Sequence, residues 1–239
     1  MCQTLSIVEA IPTSEGPAGR ATEDYAKAIF SLAQDSGDGG VPVRAIAMRL
    51  GVTQGSASAM VKRLAARGLV AHERYGAVRL TDEGRLIALA VLRRHRLIET
   101  FLAAELGMGW DRVHHEAEVI EHVLSDDVLE LIAAKLGHPT HDPHGDPIPS
   151  ADLVMSDDRT TTLWETQAGT RATLAGVSDA DPEMLRYLAD RGIRPGTAVE
   201  VISREPFDGP VLIRVGRRRH SIGRGLALAM RLDAGPGDG

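Results

Sequence analysis

The sequence lacks the features that mark secreted, membrane-spanning and disulfide-stabilised proteins. Cys2 is the only cysteine among 239 residues, so no disulfide can form within the chain. No run of 18 apolar residues is present, which argues against a transmembrane helix and a membrane partner. Residues 1–19 have no basic region ahead of their apolar residues, so they resemble a flexible leader rather than a signal peptide. These absences predict a cytoplasmic protein.

The motifs of three enzyme classes are also missing. His115 and Glu116 begin a zinc-protease motif, but Val119 stands where the second histidine is required. No Gly-x-Ser-x-Gly nucleophile elbow occurs, and the glycine-bearing segment 51–58 lacks the Lys-Ser/Thr of a phosphate-binding loop. We therefore predict that the chain is not an enzyme and has no organic substrate. A metal-binding enzyme or storage protein, and a regulator that responds to an organic ligand, are the alternatives.

The net charge of −6 conceals a strong asymmetry along the chain. Residues 20–94 carry 12 Lys/Arg against 7 Asp/Glu, a balance of about +5, which suits a polyanion partner such as DNA. Residues 95–150 carry 3 Lys/Arg against 11 Asp/Glu, a balance of about −8, which suits a cation. Ordinary variation in surface charge is the alternative interpretation of both segments.

Residues 20–84 have the pattern of a winged helix-turn-helix. An apolar stripe at spacings of three and four predicts a first helix that begins at Thr22 as its N-cap. Two shorter helices follow, separated by Gly51, and Thr53 is placed to cap the second of them. The alternating segment that follows predicts a β-hairpin. Two helices joined by a tight turn and followed by a hairpin are typical of a DNA-binding domain.

The rest of the chain divides into a helical and a β-rich part. Residues 85–150 predict three further helices and end in a segment with four prolines between residues 138 and 150. Thr81, just before this range, is expected to cap the first of these helices, and Ser125 is expected to cap the third. Residues 151–239 contain five short strand-like segments, the last of which is "ALAMRLD", and one helix between the first two, which suggests a small SH3-like barrel. We therefore expect a mainly α fold with a small β portion: a winged helix-turn-helix, a helical dimerisation domain and a C-terminal barrel.

Histidine and glutamate recur at metal-ligand spacing in the acidic middle of the chain. The candidates are His95 and Glu99 on one predicted helix, and His114, Glu118, Glu121 and His122 on the next. Residues three and four apart share one face of a helix, so the two helices could present facing ligands to a metal ion. Glu118, Glu121 and His122 are expected to point the same way. The alternative is a solvated helix face whose charges pair with one another.

A second group of histidines lies in the proline-rich segment. His138, His141 and His144 are spaced three residues apart, as metal ligands could be. Each proline, however, constrains the backbone of the residue before it. We therefore expect an ordered linker here rather than a metal site.

Together these segments resemble the diphtheria toxin repressor family of metal-dependent transcription factors. The resemblance rests on "ATEDYAKAIFSL", the winged helix, "RRHRLIETFL", "VHHEAEVIEHVLSD" and "GDPIP", and it covers roughly residues 20–232 in the same domain order. It implies a homodimer that binds double-stranded operator DNA under the control of a divalent metal. It also implies that the C-terminal barrel is of the FeoA type.

The resemblance further implies two metal sites. A regulatory site would comprise Asp24, Glu118, Glu121 and His122, and a neighbouring site would comprise His95, Glu99 and His114. In some members the barrel adds ligands to the neighbouring site. Here those positions fall near Gly176, which has no side chain, and Asp179, so only Asp179 could contribute.

Mn²⁺ is the metal that the resemblance favours, with Fe²⁺ as the alternative. Iron-sensing members carry methionine and cysteine where this chain has Asp24 and Glu118, whereas manganese-sensing members carry carboxylates, and oxygen ligands suit Mn²⁺. Lys27 stands where smaller manganese sensors carry glutamate, which argues against a second, closely bridged ion. We expect metal binding to fix the dimer in a DNA-competent conformation that represses metal-uptake and homeostasis genes.

The second helix of the helix-turn-helix and the hairpin supply the expected DNA contacts. Small side chains near the start of this helix would reach bases or phosphates, and longer ones would hold the DNA backbone. The expected contacts are Thr53, Gln54, Ser56, Ala57, Ser58, Lys62, Arg63, Arg74 and Tyr75.

Overall fold

A computed structural model of the chain describes residues 17–36, 40–72 and 76–233. The chain forms two compact units. The first comprises residues 1–94, 121–123 and 149–155, and the second comprises residues 95–120, 124–148 and 156–239. Among the described residues, no helix is both long enough and apolar enough to cross a membrane.

The first unit contains three helices, a hairpin and the start of a fourth helix. Its elements are α1 (Pro17–Ser36), α2 (Val43–Arg49), α3 (Gln54–Ala66), β1 (Val70–His72), β2 (Val78–Leu80) and the first half of α4 (Asp82–Ala104). The two strands pair antiparallel, with Val70 opposite Leu80. This order confirms the predicted winged helix-turn-helix, although the turn of the predicted hairpin lies partly outside the described residues.

Local sequence signals set the ends of these elements. Thr53 Oγ1 accepts a hydrogen bond of 3.1 Å from the Ser56 amide at the start of α3. Gly51 follows α2 with a φ of +63°, a left-handed conformation that glycine adopts without steric cost. Thr81 Oγ1 accepts a hydrogen bond of 3.2 Å from the Gly84 amide and caps α4, as predicted.

The first helix begins earlier than the sequence predicts. α1 starts at Pro17, and proline suits the first turn of a helix because that turn leaves N–H groups without helical partners. Thr22 is therefore not an N-cap. It is buried inside the helix, and its Oγ1 accepts a hydrogen bond of 2.9 Å from Arg67. Residues 17–19 of the expected leader are thus helical, and residues 1–16 lie outside the described residues.

The core of the first unit consists of the inward faces of its helices and strands. Its fully buried members are Ile29, Val41, Ile46, Ala57, Val61, Leu64 and Val78. The core residues of α3 recur at helical spacing, and those of the strands alternate with exposed residues. The periodicity of apolar residues in the sequence therefore predicts this core.

The helical part of the second unit comprises the end of α4, α5 (Val113–Ile120) and α6 (Asp126–Lys135). Two small cores hold it together. One contains Leu97, Leu129, Ala133 and Ile148, and the other contains Ile98, Leu102, Val113 and Ala117. Ser125 caps α6 as predicted, since its Oγ accepts a hydrogen bond from Val128.

The β-rich part of the second unit is a six-stranded antiparallel sheet in the order β3-β8-β4-β5-β6-β7. Its strands are β3 (Thr161–Thr162), β4 (Arg171–Val177), β5 (Ala198–Arg204), β6 (Val211–Val215), β7 (Arg218–Ile222) and β8 (Met230–Asp233). α7 (Pro182–Ala189) lies between β4 and β5 in the chain, as predicted. The prediction of a strand over "ALAMRLD" is wrong in its first half, where α8 (Arg224–Ala229) forms instead.

The proline-rich segment is ordered by its own hydrogen bonds. Asp142 Oδ1 accepts from the amides of His144 and Asp146, at 2.8 and 2.9 Å. The Ile148 amide donates to the Thr140 carbonyl at 2.8 Å and closes the loop. The segment is therefore an ordered loop, and its role as a linker stays a prediction.

Two glycines in helices of the first unit allow a test of this packing. A Cβ on Gly84 would lie 2.0 Å from the Leu69 carbonyl oxygen, whereas a Cβ on Gly55 would meet nothing closer than 3.9 Å. We expect Gly84→Ala to lower the free energy of unfolding by about 2–3 kcal/mol through overpacking. Gly55→Ala should leave it unchanged or raise it by up to about 1 kcal/mol. Urea unfolding midpoints measure both, and equal midpoints for the two variants would contradict the close approach at Gly84.

Candidate functional site

The first cluster of possible metal ligands joins α1 to the turn that follows α5. His122 Nε2 lies 3.0 Å from Asp24 Oδ1 and 3.4 Å from Glu121 Oε1. The Glu121 side chain is 1% exposed and that of His122 is 11% exposed, whereas Asp24 is 41% exposed. Two carboxylate oxygens and one imidazole nitrogen therefore converge on one point at the edge of the unit. Such a set suits a divalent cation.

Glu23 orients the imidazole of this cluster. Its Oε2 lies 2.9 Å from His122 Nδ1. A carboxylate only accepts hydrogen bonds, so Nδ1 donates and Nε2 keeps its lone pair, which points at Asp24 and Glu121. A metal-binding histidine has this arrangement, with its other ring nitrogen held by a carboxylate. No spacing in the sequence predicts this role of Glu23, which lies 99 positions from His122.

Lys27 supplies a positive charge inside the same cluster. Its Nζ lies 2.5 Å from Glu121 Oε1, and the lysine side chain is 15% exposed. Burial raises the pKa of Asp24 above its usual value, and the charges of His122 and Lys27 oppose this rise. Burial thus disfavours the charged form of Asp24 more than the charges of His122 and Lys27 favour it.

The second cluster brings together α4 and α5. Glu99 Oε1 lies 3.0 Å from His95 Nε2 and 3.2 Å from His114 Nδ1. The two ring nitrogens are 3.1 Å apart. The structure therefore places the predicted trio His95, Glu99 and His114 together. Glu99 is 1% exposed, and burial alone would raise its pKa, but the neighbouring histidines outweigh this effect and lower it.

Two more carboxylates contact His114. Asp179 Oδ2, from the loop after β4, lies 2.8 Å from Nδ1, and Glu118 Oε1 lies 3.5 Å from Nε2. Burial lowers the pKa of His114, but hydrogen bonds to Asp179, Glu118 and Glu99 raise it to about 12. Burial raises the pKa of Asp179, and the bond to His114 lowers it to about 2. Asp179 thus contacts His114, and its contribution as a metal ligand stays a prediction.

The prediction that Glu118, Glu121 and His122 share one helix face is wrong. α5 ends at Ile120, so only Glu118 is helical. Glu121 and His122 form ion pairs with side chains of α1, whereas the carboxylate of Glu118 faces His114. These tertiary ion pairs replace the helical geometry that the spacing suggested.

The three histidines of the proline-rich segment do not form one cluster. His138 has a φ of 54° just after α6, and exposed His141 bonds to Asp158 at 2.8 Å. His144 is fully buried beside Glu99 and Asp142. Burial, together with the charges of Asp146 and Glu99, raises the pKa of Asp142 to about 7.

The predicted DNA contacts on α3 divide by exposure. Gln54, Lys62 and Arg63 are exposed, and Ser58 is half-buried. Ala57 is fully buried in the core of the first unit, so the prediction that it touches DNA is wrong.

Two other predicted contacts have a structural role. Thr53 and Ser56 are exposed, but they also bond to each other through their side-chain oxygens at 2.9 Å, at the start of α3. Arg74 and Tyr75 lie outside the described residues.

Three family descriptions match successive parts of the chain. Residues 19–78 match the N-terminal DNA-binding domain of iron-dependent repressors, and residues 81–150 match their metal-binding and dimerisation domain. Residues 161–233 match the FeoA domain. The matched regions thus contain every ligand of both clusters.

Proteins of similar sequence and structure extend over most of the chain. The diphtheria toxin repressor of Corynebacterium efficiens is 34% identical over 228 residues, which cover 89% of this chain and 94% of that protein. The iron-dependent repressor IdeR of Mycobacterium bovis is 32% identical over 227 residues, covering 89% and 96%. A solved manganese-dependent transcriptional repressor in complex with manganese is 44% identical, with a TM-score of 0.83 and coverage of 88% and 98%.

The orientation of His122 by Glu23 can be tested directly. We expect Glu23→Gln to weaken Mn²⁺ binding about 10- to 100-fold, because the outer carboxylate that holds the ring is lost. Isothermal titration calorimetry measures the affinity. Glu116→Gln, a carboxylate change on α5, is the matched control and should leave it unchanged. Equal affinities for Glu23→Gln and the unmodified chain would contradict the orienting role.

Proposed function

Since the chain belongs to the iron-dependent repressor family, which includes the diphtheria toxin repressor, it is a metal-dependent transcriptional repressor, and we propose that Mn²⁺ activates it. Members of this family bind DNA, dimerise and are not enzymes, which removes the enzyme alternative. A cytoplasmic location, where operator DNA is accessible, is part of the proposal.

The choice of Mn²⁺ rests on the ligand atoms of the first cluster. Asp24, Glu121 and His122 offer two carboxylate oxygens and one imidazole nitrogen, with no sulfur. Carboxylate ligands suit Mn²⁺, whereas thiolate and thioether ligands favour softer ions. The manganese-dependent repressor at 44% identity supports this choice, while the iron-dependent repressor IdeR at 32% identity keeps Fe²⁺ as the second candidate.

We assign the regulatory role to the first cluster because its ligands come from two matched domains. Asp24 lies in the matched DNA-binding domain, and Glu121 and His122 lie in the matched metal-binding and dimerisation domain. A cation that binds all three links these domains and offsets the repulsion between Asp24 and Glu121. Because the cation binds all three ligands only where they converge, its binding favours that conformation.

The second cluster would hold a further ion with His95, Glu99, His114 and Asp179 as ligands. Glu118, which the resemblance assigns to the regulatory site, has its carboxylate beside His114 and is placed to serve here. The ligands span α4, α5 and the loop after β4, all in the second unit. An ion at this position would stabilise the fold of that unit more directly than it would affect DNA binding.

DNA recognition is proposed for α3. Gln54 and Ser56 lie near its start, where base edges are read, and Lys62 and Arg63 follow on its exposed surface. In a dimer, two such helices reach successive major grooves when they stand about 34 Å apart. Val119, Val128 and Leu131, on α5 and α6, are exposed apolar side chains that a dimer contact would cover.

Metal dependence of DNA binding is the first test. With a duplex selected from a random library in Mn²⁺, we expect a mobility shift in Mn²⁺ and its loss in EDTA. His122→Ala should abolish the Mn²⁺-dependent shift while circular dichroism stays unchanged. His115→Ala, at an exposed histidine of α5, is the control and should bind as the unmodified chain does. Equal DNA binding in EDTA and in Mn²⁺ would contradict the proposal that metal controls DNA binding.

The identity of the metal requires a separate comparison. In the same assay under anaerobic conditions, Mn²⁺ should activate DNA binding at micromolar concentrations, and Fe²⁺ should require at least about tenfold more, because the cluster offers no sulfur ligand. If only Fe²⁺ activates DNA binding, the assignment of Mn²⁺ is wrong and Fe²⁺ is the activating metal. The metal-dependent repressor function is unaffected by that result.

A further inference from the structure

The outer face of the barrel sheet carries a row of charged side chains. The strand register places Arg171 of β4 opposite Glu200 of β5, Glu200 opposite Arg214 of β6, and Arg214 opposite Arg219 of β7. Residues directly opposite one another on neighbouring strands project from the same face of a sheet. Because strands stand about 4.8 Å apart, the row is about 14 Å long. Three arginines and one glutamate give it a net charge of +2.

Glu200 compensates only part of this positive charge. Its Oε2 lies 3.3 Å from Arg214 Nη1 and 3.9 Å from Arg171 Nε. Arg219, at the end of the row, forms no ion pair with any residue that the structure describes. Like charges directly opposite each other across a sheet are destabilising. An anion bound between Arg214 and Arg219 would relieve their repulsion.

The edge strand β7 extends the positive charge beyond the row. Arg217 lies in the turn before β7 and Arg218 begins the strand. Both are exposed, and neither forms an ion pair within the described ranges. The side chains of Arg218 and His220 point away from the row, because side chains alternate along a strand. Burial lowers the pKa of His220, and the charges of Arg191 and Arg218 lower it further. Positive charge therefore surrounds β7 on both faces and at its turn.

Protection of a sheet edge is the simpler explanation of charge on β7. Charged side chains on an edge strand prevent two sheets from pairing edge to edge. That role requires charge on β7 alone. It does not explain Arg171 and Arg214, which lie on β4 and β6 inside the sheet, or their alignment with Arg219. The aligned row is therefore suited to a ligand that carries several negative charges.

The repeated phosphates of DNA fit this surface. One DNA strand carries a phosphate for about every 3.4 Å of helix axis, so a row of about 14 Å spans roughly four of them. The guanidinium group presents paired N–H donors that match the oxygens of a phosphate. DNA is the partner of the matched N-terminal domain. Lys62 and Arg63 are the only cationic residues within α3, so that helix alone offers few phosphate contacts.

We propose that this face of the barrel, centred on Arg214, Arg217 and Arg219, is a second DNA contact that binds the phosphate backbone. It acts in addition to α3 and does not read the sequence, since phosphate contacts contribute affinity rather than base recognition. The proposal rests on the DNA binding of this repressor. It does not depend on the identity of the metal or on which cluster regulates the protein.

The test variant replaces both Arg217 and Arg219 by glutamine. Both side chains are exposed and have no ion pair to lose in the described part of the chain, so the fold should persist. Arg159→Gln combined with Arg224→Gln is the control with the same change of charge. Arg159 is 92% exposed, and Arg224 lies over Trp164, which follows β3 at the opposite edge of the sheet. A third variant replaces Arg217 and Arg219 by lysine and keeps their charge.

Fluorescence anisotropy of the full chain, in the metal that activates it, measures affinity for a long operator duplex and for an unrelated duplex over a range of salt concentrations. The glutamine variant should bind both duplexes roughly tenfold more weakly at about 0.1 M salt, because counterion release at phosphates is lost. Its plot of log affinity against log salt should be shallower by about 1–2, since each phosphate contact contributes about 0.9. The control and the lysine variant should behave as the unmodified chain does.

Three results would overturn the proposal. One is a glutamine variant with the affinity and salt dependence of the control. Another is a loss of affinity for the operator alone, because a backbone contact affects both duplexes equally. The third is unchanged DNA binding with an altered oligomeric state in sedimentation velocity, which would assign the surface to contacts between copies of the chain.

Arg217→Gln alone should give about half the change in salt dependence, and it replaces the double variant if circular dichroism shows that the double variant is unfolded. Failure of the proposed metal control would appear separately, as equal DNA binding in EDTA and in Mn²⁺. That result would leave the comparison between the variants valid.

Discussion

The clusters of this chain depend on one constraint: carboxylates are buried beside the ring nitrogens of histidines. Glu99 and Glu121 are each 1% exposed, far less than carboxylates usually are. Burying a charge is costly unless an opposite charge accompanies it. We therefore propose that a cation stabilises the first and second clusters, whose side chains come from α1, α4, α5, the turn after α5 and the loop after β4.

A common device prepares the histidines at these places. In the first cluster the Glu23 carboxylate accepts from His122 Nδ1, and beside Glu99 the Trp110 carbonyl accepts from His144 Nε2. Each hydrogen bond selects one tautomer and directs the other nitrogen at a carboxylate. The two acceptors differ, because a charged carboxylate makes the ring a stronger ligand than a neutral carbonyl does.

The elements that the sequence predicts well are those with local signals. Thr53, Thr81 and Ser125 cap helices within three residues of themselves, so their roles can be inferred without knowledge of the fold. The pairing of His95 with Glu99 is equally local, because one helical turn separates them.

The features that the sequence does not reveal depend on distant contacts. Glu23 meets His122 across 99 positions, and Lys27 meets Glu121 across 94. No spacing rule relates residues so far apart. The end of α5 at Ile120 is a similar case, because ion pairs with α1, rather than a glycine or proline, accompany it. The burial of Ala57 follows from packing on the hydrophobic face of α3.

The charge of the first cluster bears on how many ions it holds. Glu23, Asp24 and Glu121 contribute three negative charges, and Lys27 and Arg94, the latter 3.8 Å from Glu23, contribute two positive ones. These five side chains sum to about −1 when His122 is neutral. One divalent ion brings the total to about +1, whereas two would bring it to about +3 in a partly buried place, where uncompensated charge is costly. We therefore propose that the first cluster holds one ion, with the charge of Lys27 in place of a second.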